Sequence, residues 1–353
     1  MIFKKLAKIF ESTPEQAGPR AWVGVFGKHP GWDDHLDDQG LETERLVSAK
    51  RVLYTEGIGG NIDSGAWDKL AEGQRLAEFD HTLVWRCGAW GGGGVDGWIV
   101  GRIWSSRDGK GRTKYPMIAA CEVAGLGQAG ADFAVRIALP RLLKLEQECK
   151  QATKADPVRL AIEAARNEIR TALAAYSPAS APNDGSGPAA MIGLGQRDEL
   201  RGLGEGGGPG IGLLRILYEV ERETEAFRPG SASLRKSRMV DARAKHVRTP
   251  GLKGLPVGGS ARLWCDVVGL DIDPSTPILA MEYTREDGLA ETGGGLVDVV
   301  VSDPTVGTLL PMRQGLTALP LASAVPYTMD DAFIARAKGG MHEILWRGAS
   351  GAG

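Results

Sequence analysis

The pattern of apolar and polar positions predicts strands in the first third of the chain and helices after it. Four segments have the apolar pattern of buried strands, at residues 20–28, 81–87, 96–104 and 115–123. The glycine-rich stretch from Gly88 to Gly94 is suited to a hairpin connection between the second and third of these. Helical spacing follows at 131–153 and 156–176.

The last third of the chain returns to strand patterns. A helix is predicted at 211–225, strands at 261–268, 277–283 and 296–301, and a final helix at 329–346. Strands joined by short turns favour antiparallel pairing. The sequence therefore predicts a mixed α/β (α+β) fold with a largely antiparallel sheet flanked by helices, and a second, smaller α/β region.

Composition shifts along the chain predict four parts. They are an N-terminal amphipathic segment at 1–19, a domain at 20–176, a Gly/Pro-rich linker or loop at 177–210 and a C-terminal α/β region at 211–353. The first segment has helical spacing with three lysines on the polar side, so it is expected to dock on its own domain or to contact a membrane surface or partner.

Charge and cysteine content exclude several classes of function. Lys plus Arg total 42 and Asp plus Glu total 44, so the chain lacks the basic excess of a nucleic-acid-binding protein. No apolar run reaches the ~18 residues of a transmembrane segment. The four cysteines form no Cys-x-x-Cys pair, and we expect reduced, packed thiols in a cytoplasmic protein without a cofactor.

One acidic stretch allows a metal-dependent alternative. Two histidines and four aspartates lie between His29 and Asp38. Imidazole and carboxylate groups are suitable ligands for divalent metals, so a metal-dependent hydrolase is one reading of this stretch. A solvated acidic turn after a strand is the other. The ligands of the first reading would be His29, Asp33, Asp34 and His35.

Three further segments have functional alternatives. Residues 105–114 combine glycines with Lys and Arg, which suits either a charged turn or a phosphate cradle. The basic segment 235–246 is a solvated surface or a contact for an acidic partner. Trp32 and Trp90 lie in glycine-flanked loops and are the candidates for exposed contact residues.

Two motifs in the first third resemble the opening signature of the TagF/ImpM family, which is associated with type VI secretion. Residues 26–34 are similar to its Phe-Gly-Lys-x-Pro-x-x-x-Asp pattern. Residues 101–116 resemble its Pro-Ser-x-Asp-x-x-Gly-Arg-x-x-Pro block, with Ser105 in place of the first proline. Residue by residue, the matches are Phe26, Gly27, Lys28, Pro30, Asp34, Trp85, Gly101, Ser106, Asp108, Gly111, Arg112 and Pro116.

The resemblance implies an α/β domain and a non-enzymatic role. In the family that role is post-translational control of the secretion machine through binding of partner proteins, such as forkhead-associated-domain proteins or other secretion-system components. A structural part of a contractile secretion apparatus is a further alternative. The partner-binding or loop-organising residues are then Phe26, Gly27, Lys28, Pro30, Trp32, Asp34, Trp90, Asp108, Gly111, Arg112 and Pro116.

A specific contact is predicted between the two motifs. We expect Arg112 to pair with Asp34 across the two loops, and Asp108 to accept backbone N–H groups within its own turn. The two loops would then form one rigid surface for docking a protein. The later segment at 261–265, predicted as a strand, is also similar to the family's C-terminal Trp-rich strand.

Overall fold

One antiparallel sheet of seven strands organises the molecule. The computed structural model describes residues 18–92, 96–177, 211–229, 244–270, 272–283 and 295–341. The strand order is β1-β4-β3-β2-β6-β7-β5, and every neighbouring pair is antiparallel. The strands are β1 Arg20–Gly27, β2 Asp80–Arg86, β3 Trp98–Trp104, β4 Met117–Ala124, β5 Lys245–Pro250, β6 Ile278–Tyr283 and β7 Leu296–Val301.

Helices connect the strands and cover the sheet. The α-helices are α1 Glu44–Ala49, α2 Gly60–Asp63, α3 Ala129–Phe133, α4 Leu139–Gln151, α5 Ala155–Ala175, α6 Ile211–Thr224, α7 Gly259–Gly269, α8 Val306–Leu309 and α9 Asp331–Met341. Two π-helical stretches, Lys50–Gly59 and Ala134–Ala138, join α1 to α2 and α3 to α4. The mixed α/β fold and the largely antiparallel sheet predicted from the sequence are confirmed.

Both faces of the sheet are buried, which explains the nearly continuous apolar runs of its strands. On one face, Val100 packs with residues of α4, α5 and α7. On the other, Ile99 and Ile103 pack with the helical residues 44–63 and with Leu309 of α8. Three layers result, because a sheet that is apolar on both sides must be covered on both sides.

The sheet joins the two predicted strand regions. β2 pairs with β6, placing Val84 opposite Ala280, so strands from residues 20–176 and from 211–353 share hydrogen bonds. The predicted division therefore does not separate two sheets. The N-terminal segment lies outside the described residues up to residue 17, and so does the predicted linker from residue 178.

The strand predicted at 261–268 is wrong, because these residues form α7. The segment is apolar at nearly every position, and such a run does not distinguish a buried strand from a buried helix. The helical spacing is visible in the polar residues, since Arg262 and Asp266 pair one turn apart at 2.5 Å. The similarity of 261–265 to a Trp-rich strand therefore does not extend to its structure.

β5 is a strand that the sequence pattern did not predict. It carries Lys245, His246 and Arg248, the first two of which belong to the basic segment 235–246 interpreted above as a solvated surface or a contact for an acidic partner. His246 and Arg248 instead turn to the buried carboxylate of Asp298 on β7. Residues 235–243 of that segment lie outside the described residues.

All four cysteines are free and buried. Burial raises the pKa of each thiol, to about 12 for Cys149 and Cys265 and higher for Cys87 and Cys121. The thiols are therefore protonated at neutral pH, as expected for packed cysteines. In the described part of the chain, the helices are all too short or too polar to cross a membrane.

Candidate functional site

Two loops meet at the end of the sheet where β1 and β3 finish. Loop 1 comprises residues 28–40 after β1, and loop 2 comprises residues 105–116 between β3 and β4. They meet because β1 and β3 both pair with β4, whose first residue follows loop 2. The backbone N–H of Lys28 donates to the carbonyl of Pro116 at 3.1 Å, which joins the loops at their base.

Lys28 lies between the two loops with its side chain only 4% exposed. Its Nζ lies 2.5 Å from Oδ1 of Asp34 and 2.8 Å from Oδ2 of Asp108, and 5.9 Å from the centroid of the Tyr115 ring. A buried ammonium group requires such partners, because an unpaired charge away from water is costly. Lys28 therefore connects loop 1 to loop 2 through two carboxylates.

Asp108 accepts four hydrogen bonds at the centre of loop 2. Oδ1 accepts from the backbone N–H groups of Lys110 and Arg112, each at 3.0 Å. Oδ2 accepts from Lys28 Nζ at 2.8 Å and from Arg112 Nε at 2.6 Å. Burial raises the pKa of this carboxyl, but the four donors outweigh it and hold the pKa well below its usual range. Asp108 is therefore ionised and organises its turn as the sequence predicts.

Arg112 extends from loop 2 to loop 1. Its Nη2 donates to Oδ1 of Asp34 at 2.9 Å and to the carbonyl of Asp33 at 3.0 Å. The hydrogen bond from Lys28, and then the nearby positive charges, lower the pKa of Asp34. The pairing expected between Arg112 and Asp34 is present. We call Lys28, Asp34, Asp108 and Arg112 the loop network.

Gly27 permits the close approach of the loops. Its φ is +116°, which L side chains rarely adopt, and a Cβ there would lie 2.4 Å from the carbonyl oxygen of Pro116. Only glycine fits both conditions. Gly111 also has a positive φ, +79°, but space around it is open. Both packing and backbone conformation therefore require glycine at position 27, whereas backbone conformation alone favours it at position 111.

A pocket of about 510 Å³ opens beside the loop network. Nδ1 of His35 and Oη of Tyr54 lie 3.0 Å apart, and Oη of Tyr115 donates to Asp63 at 3.0 Å. Burial lowers the pKa of His35 and raises the pKa of Tyr54. The pocket therefore has a neutral, aromatic and hydrogen-bonded wall next to the charged loop network.

Sequence reasoning missed both tyrosines of this wall. Tyr115 directly precedes Pro116 in the second matched motif, so the motif itself offered a signal. Tyr54 lies in the π-helical stretch, far from either motif in sequence, and no spacing links it to them. Only the folded chain brings them together, with ring centroids 5.7 Å apart.

The proposed metal ligands do not converge. His29 is buried, and both of its ring nitrogens are engaged: Nε2 with the carbonyl of Cys149 at 2.9 Å, and Nδ1 with the backbone N–H of Gly31 at 3.0 Å. Burial lowers the pKa of this histidine. His35 instead faces Tyr54 and Tyr115. Within the described ranges, we find no group of three or more His, Cys, Asp or Glu side chains arranged to hold a metal ion.

The two loop tryptophans differ from the expectation of exposed contact residues, since both are half-buried. Trp32 belongs to loop 1, where its Nε1 donates to Asp37 at 3.1 Å and Arg159 lies over its ring. Trp90 lies after β2 at the opposite end of the sheet, with its ring centroid 4.1 Å from that of buried Trp85. Trp90 therefore lies away from loops 1 and 2, and its part in binding a partner stays a prediction.

The other predicted residues surround the loop network in different ways. Phe26 is fully buried in the core, edge-on to Tyr54 at 5.9 Å. Pro30 is half-buried in loop 1, and its carbonyl lies close to Gly109 of loop 2. Phe26 thus supports the end of β1, while Pro30 helps to form the surface where the loops meet. Their part in binding a partner stays a prediction.

Comparison with known proteins yields little. No protein-family model and no curated protein matches the chain. Among solved structures, PA0076 from Pseudomonas aeruginosa PAO1 is 18% identical with a TM-score of 0.31. The match covers 41% of this chain, and this chain spans about three fifths, 62%, of that protein. The structure therefore defines an α/β protein with an antiparallel sheet, and the site must be interpreted from its own residues.

Proposed function

We propose that this chain is a non-enzymatic regulatory protein of the TagF/ImpM type, acting by binding other proteins during assembly of a type VI secretion machine. Its docking surface is the exposed part of loops 1 and 2. A forkhead-associated-domain protein, or another component of that machine, is the partner. The proposal places the protein in the cytoplasm, where four free thiols are stable.

The convergence of the two motifs carries the proposal. Lys28 and Asp34 come from the first motif, and Asp108 and Arg112 from the second, which lies about 80 residues further along the chain. All four meet in a single network. The charged residues of the two motifs are thus gathered where the two loops meet, while matched residues such as Phe26 and Trp85 lie in the core.

The chemistry of the loop network favours holding a surface over performing a reaction. Asp108 is saturated with donors, and Lys28 is held between two carboxylates. Groups that neutralise each other in this way fix geometry, because each would lose its partner by moving. Asp34 and Arg112 are 62% and 53% exposed, so a partner can reach them.

A capture experiment tests the proposal. The purified chain and its Arg112→Ala and Asp34→Asn variants are compared for binding to the forkhead-associated-domain component and the other components of the secretion machine from the same organism. We expect the wild type to bind one of them and both variants to lose binding. Arg51→Ala, exposed and outside both loops, is the control and should bind normally.

Two outcomes contradict the proposal. One is that the wild type binds no component of the machine. The other is that Arg112→Ala and Asp34→Asn bind as well as the wild type. Circular dichroism and thermal unfolding of each variant separate loss of docking from loss of folding.

A further inference from the structure

A second and larger cavity lies at the same end of the sheet, next to loop 2. Its volume is about 690 Å³, within the ~300–1,000 Å³ typical of small-molecule sites. The end of β3, the segment before β2, loop 2 and the C-terminal end of α4 form its walls. Loop 2 therefore contributes to both this cavity and the loop network.

The cavity lining carries more basic than acidic side chains, although the chain as a whole does not. The whole sequence has 42 basic and 44 acidic residues. The lining contains only two carboxylates, Asp68 and Glu78. The five basic residues of the lining are Arg75, Arg107, Lys114, Lys150 and Arg313. Positive charge concentrated in a concave surface attracts anionic ligands.

Arg313 is the most confined of these cations. Its Nε donates to the carbonyl of Leu76 at 2.9 Å and its Nη2 to that of Ala77 at 3.0 Å. Its guanidinium carbon lies 4.6 Å from the centroid of the Phe79 ring. Burial, and then the nearby Arg75, lower its pKa to about 10. Its bonds all go to neutral groups, and among the residues described here no carboxylate forms an ion pair with it.

Several other donors of the cavity are not matched by acceptors. Asp68 is held by Arg75 at 2.9 Å and lies 3.9 Å from Lys114, and Lys150 pairs with Glu146 at 2.6 Å. In the part of the chain that the structure describes, the Ser106 hydroxyl and the Arg107 guanidinium form no hydrogen bond or ion pair with the protein. The cavity thus offers an excess of guanidinium, ammonium and hydroxyl donors.

We propose that this cavity binds a small phosphorylated molecule. A phosphate group accepts several hydrogen bonds at once and matches the planar fork of arginine. Ser106, Arg107 and Lys114 on loop 2 line the same cavity as Arg313 and supply such donors around a volume suited to a small molecule. The inference goes beyond the docking role and does not depend on it, since the loop network could dock a partner with the cavity empty.

Isothermal titration of the full chain tests the inference, with orthophosphate, pyrophosphate and ATP as probes and citrate as an anion without phosphate. We expect at least one phosphate probe to bind with a micromolar Kd and citrate to bind more weakly. Arg107→Ala should weaken binding about tenfold, the usual effect of losing a hydrogen bond to a charged group. Ser106→Ala combined with Arg107→Ala should weaken it further.

The control is Arg51→Ala, which removes an exposed arginine away from the cavity and should bind the probe like the wild type. The inference is overturned if no phosphate probe binds, if citrate binds as tightly, if the double variant binds normally, or if Arg51→Ala loses as much affinity. An unchanged Tm of the Arg107 variants shows that a loss is local to the cavity.

Discussion

Carboxylates lie between cations both at the surface and in the core of this molecule, and the loop network and a cluster around Asp298 are one example of each. In the loop network, Asp108 is bound by Lys28 and Arg112. Between β5 and β7, Asp298 receives Arg248 Nε at 2.7 Å and Nη2 at 2.9 Å, with His246 Nε2 at 2.7 Å. We call the second group the Arg248 cluster.

The two clusters differ in the groups that the other N–H donors of their arginines bind. Arg248 also donates to the carbonyls of Pro311 at 2.7 Å, Gln314 at 2.8 Å and Leu319 at 3.1 Å, and its side chain is 1% exposed. These bonds attach the segment after α8 to the sheet. Arg112 instead spans two loops while half of it faces solvent. The same chemistry thus stabilises the core in one place and presents a surface in the other.

The largest expected effect comes from breaking the Arg248 cluster. Arg248→Met leaves Asp298 buried without its main partner and removes the donor of four backbone carbonyls, those of Pro311, Gln314, Gly315 and Leu319. We expect a loss of about 3–5 kcal/mol in the free energy of unfolding. Urea denaturation measures it. Arg222→Met, which removes a half-exposed side chain of α6, should cost at most about 1 kcal/mol, and equal losses would contradict this view.

Gly27→Ala should have the next largest effect, because it combines an unfavourable φ with a clash against Pro116. We expect about 2–4 kcal/mol. Gly111→Ala is the matched control, since it has a positive φ but open space, and should cost only about 1–2 kcal/mol. Comparable losses in urea denaturation would show that packing at the base of the loops is not tight.

A pH effect of about 2 kcal/mol is expected from His81, which faces the core between the two clusters. Burial lowers the pKa of His81 to about 3, against ~6.5 in the unfolded chain. The charge of Asp298 opposes this shift, and the charges of Arg313 and Arg102 add to it. The contribution of this neutral histidine to the free energy of unfolding is fully present above pH ~6.5. It is lost as the pH falls towards 3, because only the unfolded state then binds the proton. Between pH 7 and 5 the loss is about 2 kcal/mol.

Unfolding of His81→Leu over this pH range tests that assignment. The variant should lose less stability on acidification than the wild type. His35→Gln, which removes a half-exposed histidine, should retain most of the wild-type dependence. If His81→Leu keeps the full dependence, other groups are responsible.

The smallest effect on stability is expected from Arg112→Ala. Exposed ion pairs contribute little because water and salt screen them. Its Tm should change far less than that of Arg248→Met, while docking is lost. Differential scanning fluorimetry of both variants makes the comparison, and a similar fall in Tm would place Arg112 among the core-stabilising residues.

Local sequence signals were sufficient for some features and not for others. The strands near Val84 and Val299 are apolar runs bounded by turn residues, and such runs predict buried strands well. The pairing of Arg112 with Asp34 followed from two motifs that share a surface. β5 was missed because its charges are neutralised by Asp298, a partner about 50 residues away.

The cavity could not be predicted for a related reason. Its lining comes from several separate segments between His29 and Arg313, and only the tertiary fold gathers them. The stretch at 105–114 did suggest phosphate binding through glycine N–H groups. We instead propose the side chains of Ser106 and Arg107, which line the cavity, as donors.

The pairing of β2 with β6 has a consequence for dissecting this protein. In a fragment ending near residue 176, β2 would become an unpaired edge strand. Leu83 and Trp85 would lose the neighbouring residues that β6 supplies. Unprotected edges recruit other chains, so such a fragment should precipitate or self-associate. A truncation at the linker predicted from the sequence would thus divide the sheet between two fragments. The two halves of the chain must therefore be produced together.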